Sequence, residues 1–379
     1  MNKPHLKLVV LTAALLASQS RVAPASALPF ICQGDEPQVM VHVDGAYARH
    51  GASWQAAPIG RMFKFQCFRA LGRDESNEWV LVAFGTSYAW VNRVEVRFAD
   101  GKDVTQLAPA NRASVPRVNL PSRLPGIPAI TPQHRQMYQQ AVRARRDPNA
   151  VAVIGDCNSE YPVFFGRLAA GAVDFSSNPS LAAVAQRFSG SFARRSVAAN
   201  GGFNAASPLD PTWTDTKQCN KNESPAECEL RLSNASLVIL SLGTGDTFTW
   251  QEFEQHYAEL INLVLKRGAV PILMTKADAL ESRQGGAPAD HINNVIRRLG
   301  ARYNVPVIDF ALAARNLPDG GLAIERDDDM KQKEPFHVSD LGADVRILMV
   351  LQTLQGFTPP ATTRSPVLTP TPRPRGASR

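Results

Sequence analysis

Four short, nearly uninterrupted apolar runs punctuate the middle and end of the chain: Val151 to Ile154, Ala235 to Leu242, Gly268 to Met274 and Val305 to Phe310. Helical patterns lie between and after them, at Trp250 to Lys266, Ala289 to Tyr303 and Leu341 to Leu354. Apolar strands without polar alternation, separated by helices, predict a parallel sheet covered on both faces. Residues 38–99 have another texture. Val39 to Val43, Met62 to Arg69, Trp79 to Phe84 and Tyr88 to Phe98 are rich in Val, Phe, Trp and Tyr, with Gly, Ser and Asn between them. That spacing predicts short strands and a small all-β barrel. Pro109, Pro116, Pro121, Pro125, Pro128 and Pro132 keep the intervening segment out of regular helix or central strand. Gln133 to Arg145, rich in Gln, Arg and Ala, follows as a helix.

The two ends belong to neither domain. Lys3 and Lys7, an apolar run from Leu8 to Ala17, and Ala25-Ser26-Ala27 together read as a secretory signal peptide. The run is too short to span a membrane, and no later segment is longer, so an exported, soluble protein is expected. After Phe357, Pro, Thr and Arg dominate, a composition that cannot bury enough surface to order itself. The expected organisation is signal peptide 1–27, small β-barrel 28–100, Pro-rich linker 101–133, α/β domain 134–357 and disordered tail 358–379.

The formal charge of +7 changes little, because it sits at these ends. Lys3, Lys7 and Arg21 lie in the signal segment, and Arg364, Arg373, Arg375 and Arg379 in the tail. Those seven account for the whole excess, which argues against a nucleic-acid-binding face on the folded part. Export allows disulfides among the five cysteines. Cys219 with Cys228 and Cys32 with Cys67 are the simplest pairs, although sequence does not fix connectivity; Cys157 is then left over and needs an explanation. The histidines are scattered, no C-x-x-C occurs, and no phosphate loop follows the first parallel strand, so no metal or other cofactor is expected.

In parallel sheets, sites form beyond the carboxyl ends of the strands. Four segments are candidates: Gly155-Asp156-Cys157-Asn158-Ser159, Asn200-Gly201-Gly202-Phe203-Asn204-Ala205, Leu242-Gly243-Thr244-Gly245-Asp246 and Glu334-Pro335-Phe336-His337. This is an inventory for acyl transfer. A nucleophile on a tight turn is presented at the sheet edge, Gly-rich turns offer N–H groups to an oxyanion, and a histidine takes the proton beside an orienting carboxylate. An exposed thiol at such a turn is expected to have a lowered pKa.

These segments resemble, in order and spacing, the four blocks of the SGNH/GDSL hydrolases: Gly-Asp-Ser, Asn-x-Gly-x-x-Gly, Leu-Gly-x-Asn-Asp and Asp-x-x-His. The resemblance spans about 200 residues. It implies a flavodoxin-like three-layer parallel sheet and a hydrolase or acyltransferase acting on ester or thioester bonds of small esters, lipids or glycans. Carried over residue by residue, Cys157 is the nucleophile, His337 the base, Glu334 its orienting carboxylate, and Asp156 and Asp246 brace turns. The N–H groups of Cys157 and Ala205, with Gly202 and Gly245 beside them, form the oxyanion hole. Leu209, Pro211, Trp213, Cys219, Glu223-Ser224-Pro225 and Cys228-Glu229 are similar to a secreted subgroup that carries an N-terminal barrel. Tyr47-Ala48-Arg49, Trp79 to Val82 and Ala89-Trp90-Val91 resemble bacterial Src-homology-three-like domains, without their usual glycine before Trp90. Such modules bind cell-wall peptide or glycan or serve as spacers.

Three of the four signature residues are replaced. Cys157 stands for Ser, Ala205 for Gly and Gly245 for Asn, while Glu334 stands for Asp. Two readings therefore stay open: an esterase or acyltransferase with a cysteine nucleophile, or a catalytically silent module that binds at the cell surface. Ser159 is an alternative hydroxyl but lies two residues late. Trp213 and Phe203 are expected at the rim or in the core, and Lys276 and Asp278 as an exposed rim pair.

Overall fold

The computed structural model describes residues 30–99 and 102–358. The expected signal peptide and the tail from residue 359 onward lie outside the described residues. Residues 38–98 form seven antiparallel strands, β1 (Gln38–Val41), β2 (Ala46–Arg49), β3 (Pro58–Met62), β4 (Cys67–Arg73), β5 (Trp79–Phe84), β6 (Ser87–Asn92) and β7 (Val96–Phe98). Their order is β3-β2-β6-β5-β4-β1-β7. Alternate residues such as Val80, Val82, Ala89 and Val91 fill the β domain's core.

Two of the strands expected from hydrophobicity are broken. Between Met62 and Cys67 the chain turns, with Phe65 in the left-handed region (φ 68°) and the Gln66 side chain accepting from Phe63 N at 2.8 Å. Between β6 and β7, the Asn92 side chain caps a single turn at Arg93–Glu95, and Glu95 bonds back to Asn92 N. In both places a side chain satisfies backbone groups that a strand partner would otherwise hold.

The second sheet is parallel, in the order β11-β10-β9-β8. Its strands are β8 (Asp147–Gly155), β9 (Ala235–Ser241), β10 (Val270–Met274) and β11 (Val307–Ile308). The last is shorter than the apolar run because Asp309 caps the helix Phe310–Ala314 through Leu312 N. Strand period two splits the buried residues between two layers. Val151, Val153, Leu237 and Ile239 face helices Leu181–Arg187 and Asp340–Phe357. Ala152, Ile154, Val238 and Leu240 face helices Pro225–Ser233, Phe253–Lys266 and His291–Tyr303. This is the three-layer α/β fold expected, preceded by a small β domain. The proline-rich segment is packed against its neighbours. Ala110 N donates to Arg73 O (2.8 Å), and Asp309 N to Gly126 O (2.9 Å). No described helix is long and apolar enough to cross a membrane.

A buried ion pair locks the β domain onto the α/β domain. Arg167 Nε donates to Asp344 Oδ1 at 2.7 Å and Arg167 Nη1 to the Ile59 carbonyl at 2.7 Å. Asp344 Oδ2 accepts from Thr86 N and Oγ1 at 2.7 and 2.9 Å. Both charges are 1% exposed or less. Removing one partner strands the other, at a cost of about 3–5 kcal/mol. Arg167→Ala is therefore expected to lower the denaturant midpoint strongly. A shift no larger than that of the exposed control Arg117→Ala would contradict this account.

Candidate active site

Gly155 ends β8, and any side chain there would strike Ser159 and the Ser241 carbonyl. The next carboxylate, Asp156, accepts from Asn158 N at 3.1 Å and from Thr244 N at 3.2 Å, joining the first turn to the turn after β9. Burial pushes Asp156 up to about 6, with the Arg346 guanidinium pulling the other way. Cys157 opens the single turn Cys157–Ser159. It is the free cysteine, since Cys32–Cys67 and Cys219–Cys228 are disulfides. The lowered pKa expected of an exposed thiol at this turn does not apply, because Cys157 is not exposed. Cys157 is buried, and burial, then the charges of Asp156 and Asp278, push its thiol well above the ordinary range. Arg61 and Arg346 act in the opposite sense.

The neighbouring Asn158 reaches the segment around residue 337. Its Nδ2 donates to the Phe336 carbonyl at 2.9 Å, and its Oδ1 accepts from Val338 N at 2.9 Å. These bonds bracket His337. Cys157 and His337 thereby line one cleft of about 340 Å³, together with Arg61 and Phe63 of the β domain. The Phe63 ring stacks on His337, centroid to centroid 5.0 Å.

The carboxylate on His337 is Glu325, not the expected Glu334. Glu325 Oε1 lies 2.7 Å from His337 Nδ1, whereas Glu334 pairs with Arg283 at 2.7 Å. The reason is local geometry. Residues 322–338 form an irregular hairpin, with antiparallel bridges Leu322 to Val338 and Arg326 to Gln332. Glu334 is drawn instead to Arg283 of the helix Leu280–Arg283. Glu325 comes from the facing arm, where Ala323 N donates to the His337 carbonyl at 2.8 Å.

Two of the expected oxyanion donors, at Ala205 and Gly202, are engaged elsewhere. Ala205 N donates to both Asp246 carboxylate oxygens at 3.1 Å, and Gly202 N to Asn200 Oδ1 at 2.9 Å. Gly245 packs against the Phe203 carbonyl, with no room for a side chain. Burial pushes Asp246 up to about 7. Phe203 is core and Trp213 half exposed. Ser159 Oγ faces the Ser241 carbonyl at 3.4 Å. Lys276 and Asp278 do pair, at 2.6 Å, but buried and joined by Glu281. Asp278 also accepts from Thr244 Oγ1 at 2.7 Å. Beneath the first turn, Arg346 donates to the Asn158 carbonyl and, at 2.8 Å, to Ser241 Oγ, and burial lowers it to about 10. Glu325, Arg346 and the β-domain pair Arg61 and Phe63 carry no spacing signal in the sequence, whereas Asp278 is marked by its place after the third strand. Among the described residues, Cys219, Glu223 and Cys228 come together as a metal-ligating trio, but both sulfurs are in a disulfide.

A model of the GDSL-like Lipase/Acylhydrolase family matches residues 155–345, half of the chain. No curated protein matches. Similar solved structures include the psychrotrophic esterase EstA from Pseudoalteromonas sp., 11% identical, covering 55% of this chain and 97% of that one, TM-score 0.35. TesA is 18% identical, covering 55% and 99%, TM-score 0.33. A catalytic mutant of the acetylxylan esterase Axe2 from Geobacillus stearothermophilus is 14% identical, covering 54% and 93%, TM-score 0.35. With the matched span running from the turn at Cys157 past His337, the chain belongs to the GDSL-like lipase/acylhydrolase family of hydrolases acting on ester bonds.

Proposed function

We propose an exported acyl hydrolase or acyltransferase in which Cys157 is the nucleophile, His337 the base and then the acid, and Glu325 the carboxylate that orients it. The observation that carries this reading is the shared cleft: Cys157 and His337 line it together while His337 Nδ1 is held by Glu325. With Nδ1 engaged, Nε2 is left to take a proton. The thiol is protonated at neutral pH, so its proton leaves as attack occurs. A bond forms from Sγ to the carbonyl carbon, the carbonyl π pair moves to oxygen, and the proton passes to His337. When that pair returns, the bond to the leaving oxygen breaks and His337 protonates it. Water then repeats the sequence on the thioester and releases the acid.

The substrate class is an acyl group on a small ester, lipid or glycan, as the family's ester chemistry implies. Export is supported by the N-terminal pattern and by two disulfides, which persist in oxidising compartments. The domain limits 28–100, 101–133 and 134–357 and the Src-homology-three-like reading of the β domain belong to the same proposal.

A second reading, a silent cell-surface or cell-wall binding protein, is favoured by the buried thiol and by the engaged N–H groups of Ala205 and Gly202. Intact-mass and peptide analysis during reaction with p-nitrophenyl acetate separates the two. The enzyme reading expects steady release of nitrophenol with a transient acetyl group on Cys157. Neither adduct nor turnover, with short esters and thioesters alike, establishes the silent reading.

A further inference from the structure

Two of the donors that the resemblance supplies are engaged elsewhere and the side-chain donor is replaced by Gly245, yet a carboxylate is already seated near Cys157. Glu160 follows the turn that carries Cys157. Its Oε1 accepts from Gly201 N at 2.9 Å, and its Oε2 pairs with Arg61 Nη2 of β3. A Cβ on Gly201 would lie 3.7 Å from Cys157 Cβ and 3.3 Å from Glu160 Oε1, so Gly201 is a neighbour of the residue that carries the nucleophile. Arg61 lines the same cleft as Cys157 and His337. One carboxylate therefore rests between a guanidinium and a backbone N–H, next to the residue that carries the nucleophile. Both partners remain partly accessible, at 27% and 24% of their side-chain surface, so the carboxylate has somewhere to go.

We propose that Arg61, delivered by the β domain, and the Gly201 N–H are the oxyanion donors of this site, with Glu160 as the resident carboxylate that yields to the substrate carbonyl. This rests on the reading of Cys157 as nucleophile. The carbonyl oxygen that takes up the π pair enters the seat that Glu160 holds, and a fixed positive charge replaces the missing amide at Gly245. Arg61 suits the task because its charge is permanent and its N–H groups form a rigid fork. The β domain is then part of the catalytic unit.

The test uses the full chain, with Arg61→Gln, Arg61→Lys and Glu160→Gln, and reads turnover of p-nitrophenyl acetate and alkylation of Cys157 by iodoacetamide. Arg61→Gln is expected to lower kcat by about 10²–10³ with little change in KM, as loss of one oxyanion donor does. Arg61→Lys restores part of it. Glu160→Gln frees the seat, and is expected to lower KM and speed alkylation. Both Gln variants break the same ion pair, so a merely structural bridge predicts that they change turnover in the same direction. That outcome, or Cys157-dependent turnover untouched by Arg61→Gln, overturns the assignment of Arg61 alone. A wild type without Cys157-dependent turnover overturns the enzyme reading and this inference together. Thermal unfolding of each variant identifies any that fail to fold, and Glu160→Gln then decides by the sign of its effect.

Discussion

Cys157→Ala is expected to lower ester turnover by about 10³-fold or more, because removal of the nucleophile from such a triad leaves only the contribution of binding and oxyanion stabilisation. The thermal midpoint is expected to change far less. Cys157 opens a short turn whose backbone is held by Asp156 and Asn158, and the change removes a single sulfur atom from a site beside an open cleft. Cys157→Ser is the informative companion. A hydroxyl at this position, like the protonated thiol, can pass its proton to His337 as attack occurs. Serine is expected to retain turnover well above that of alanine. Full turnover in Cys157→Ala, measured with p-nitrophenyl acetate, removes the thiol from the mechanism.

The parallel sheet was legible because its strands are buried on both faces and read as continuous apolar runs, from Val151 to Ile154 and from Ala235 to Leu242. Positions tied to a strand end were legible for the same reason, since Cys157 and Asp246 follow strands directly. The turns of the β domain were not. Phe65 adopts a left-handed backbone inside an apolar stretch, and nothing in the hydrophobic pattern marks it. The partners of the site were hidden for a different reason. Arg61 lies 96 positions before Cys157 on another domain, and Glu325 lies on the far arm of a hairpin whose pairing becomes visible only when folded. Local spacing reports neighbours along one element, and these residues meet across elements. The burial of Cys157 was not legible because part of the cleft around it is lined by Arg61 and Phe63 of the β domain, far away in sequence.

The hairpin also supplies the sharpest contrast between two glutamates. Glu325→Gln keeps the shape of the side chain but removes the charge that holds His337 Nδ1–H and stabilises the imidazolium formed during attack. In triads of this kind, replacing the carboxylate by its amide costs up to about 10⁴ in kcat. A fall of about 10²–10⁴ is therefore expected for Glu325→Gln, with KM little changed, because Glu325 sits behind the ring and not among the residues lining the cleft. Glu334→Gln breaks only a surface pair with Arg283, whose side chain is 61% exposed. Such pairs contribute about 0–1 kcal/mol to stability. Turnover and thermal midpoint in Glu334→Gln are expected to match the wild type. The reverse pattern, with Glu334→Gln inactive and Glu325→Gln normal, would return the orienting role to the residue three positions before the histidine.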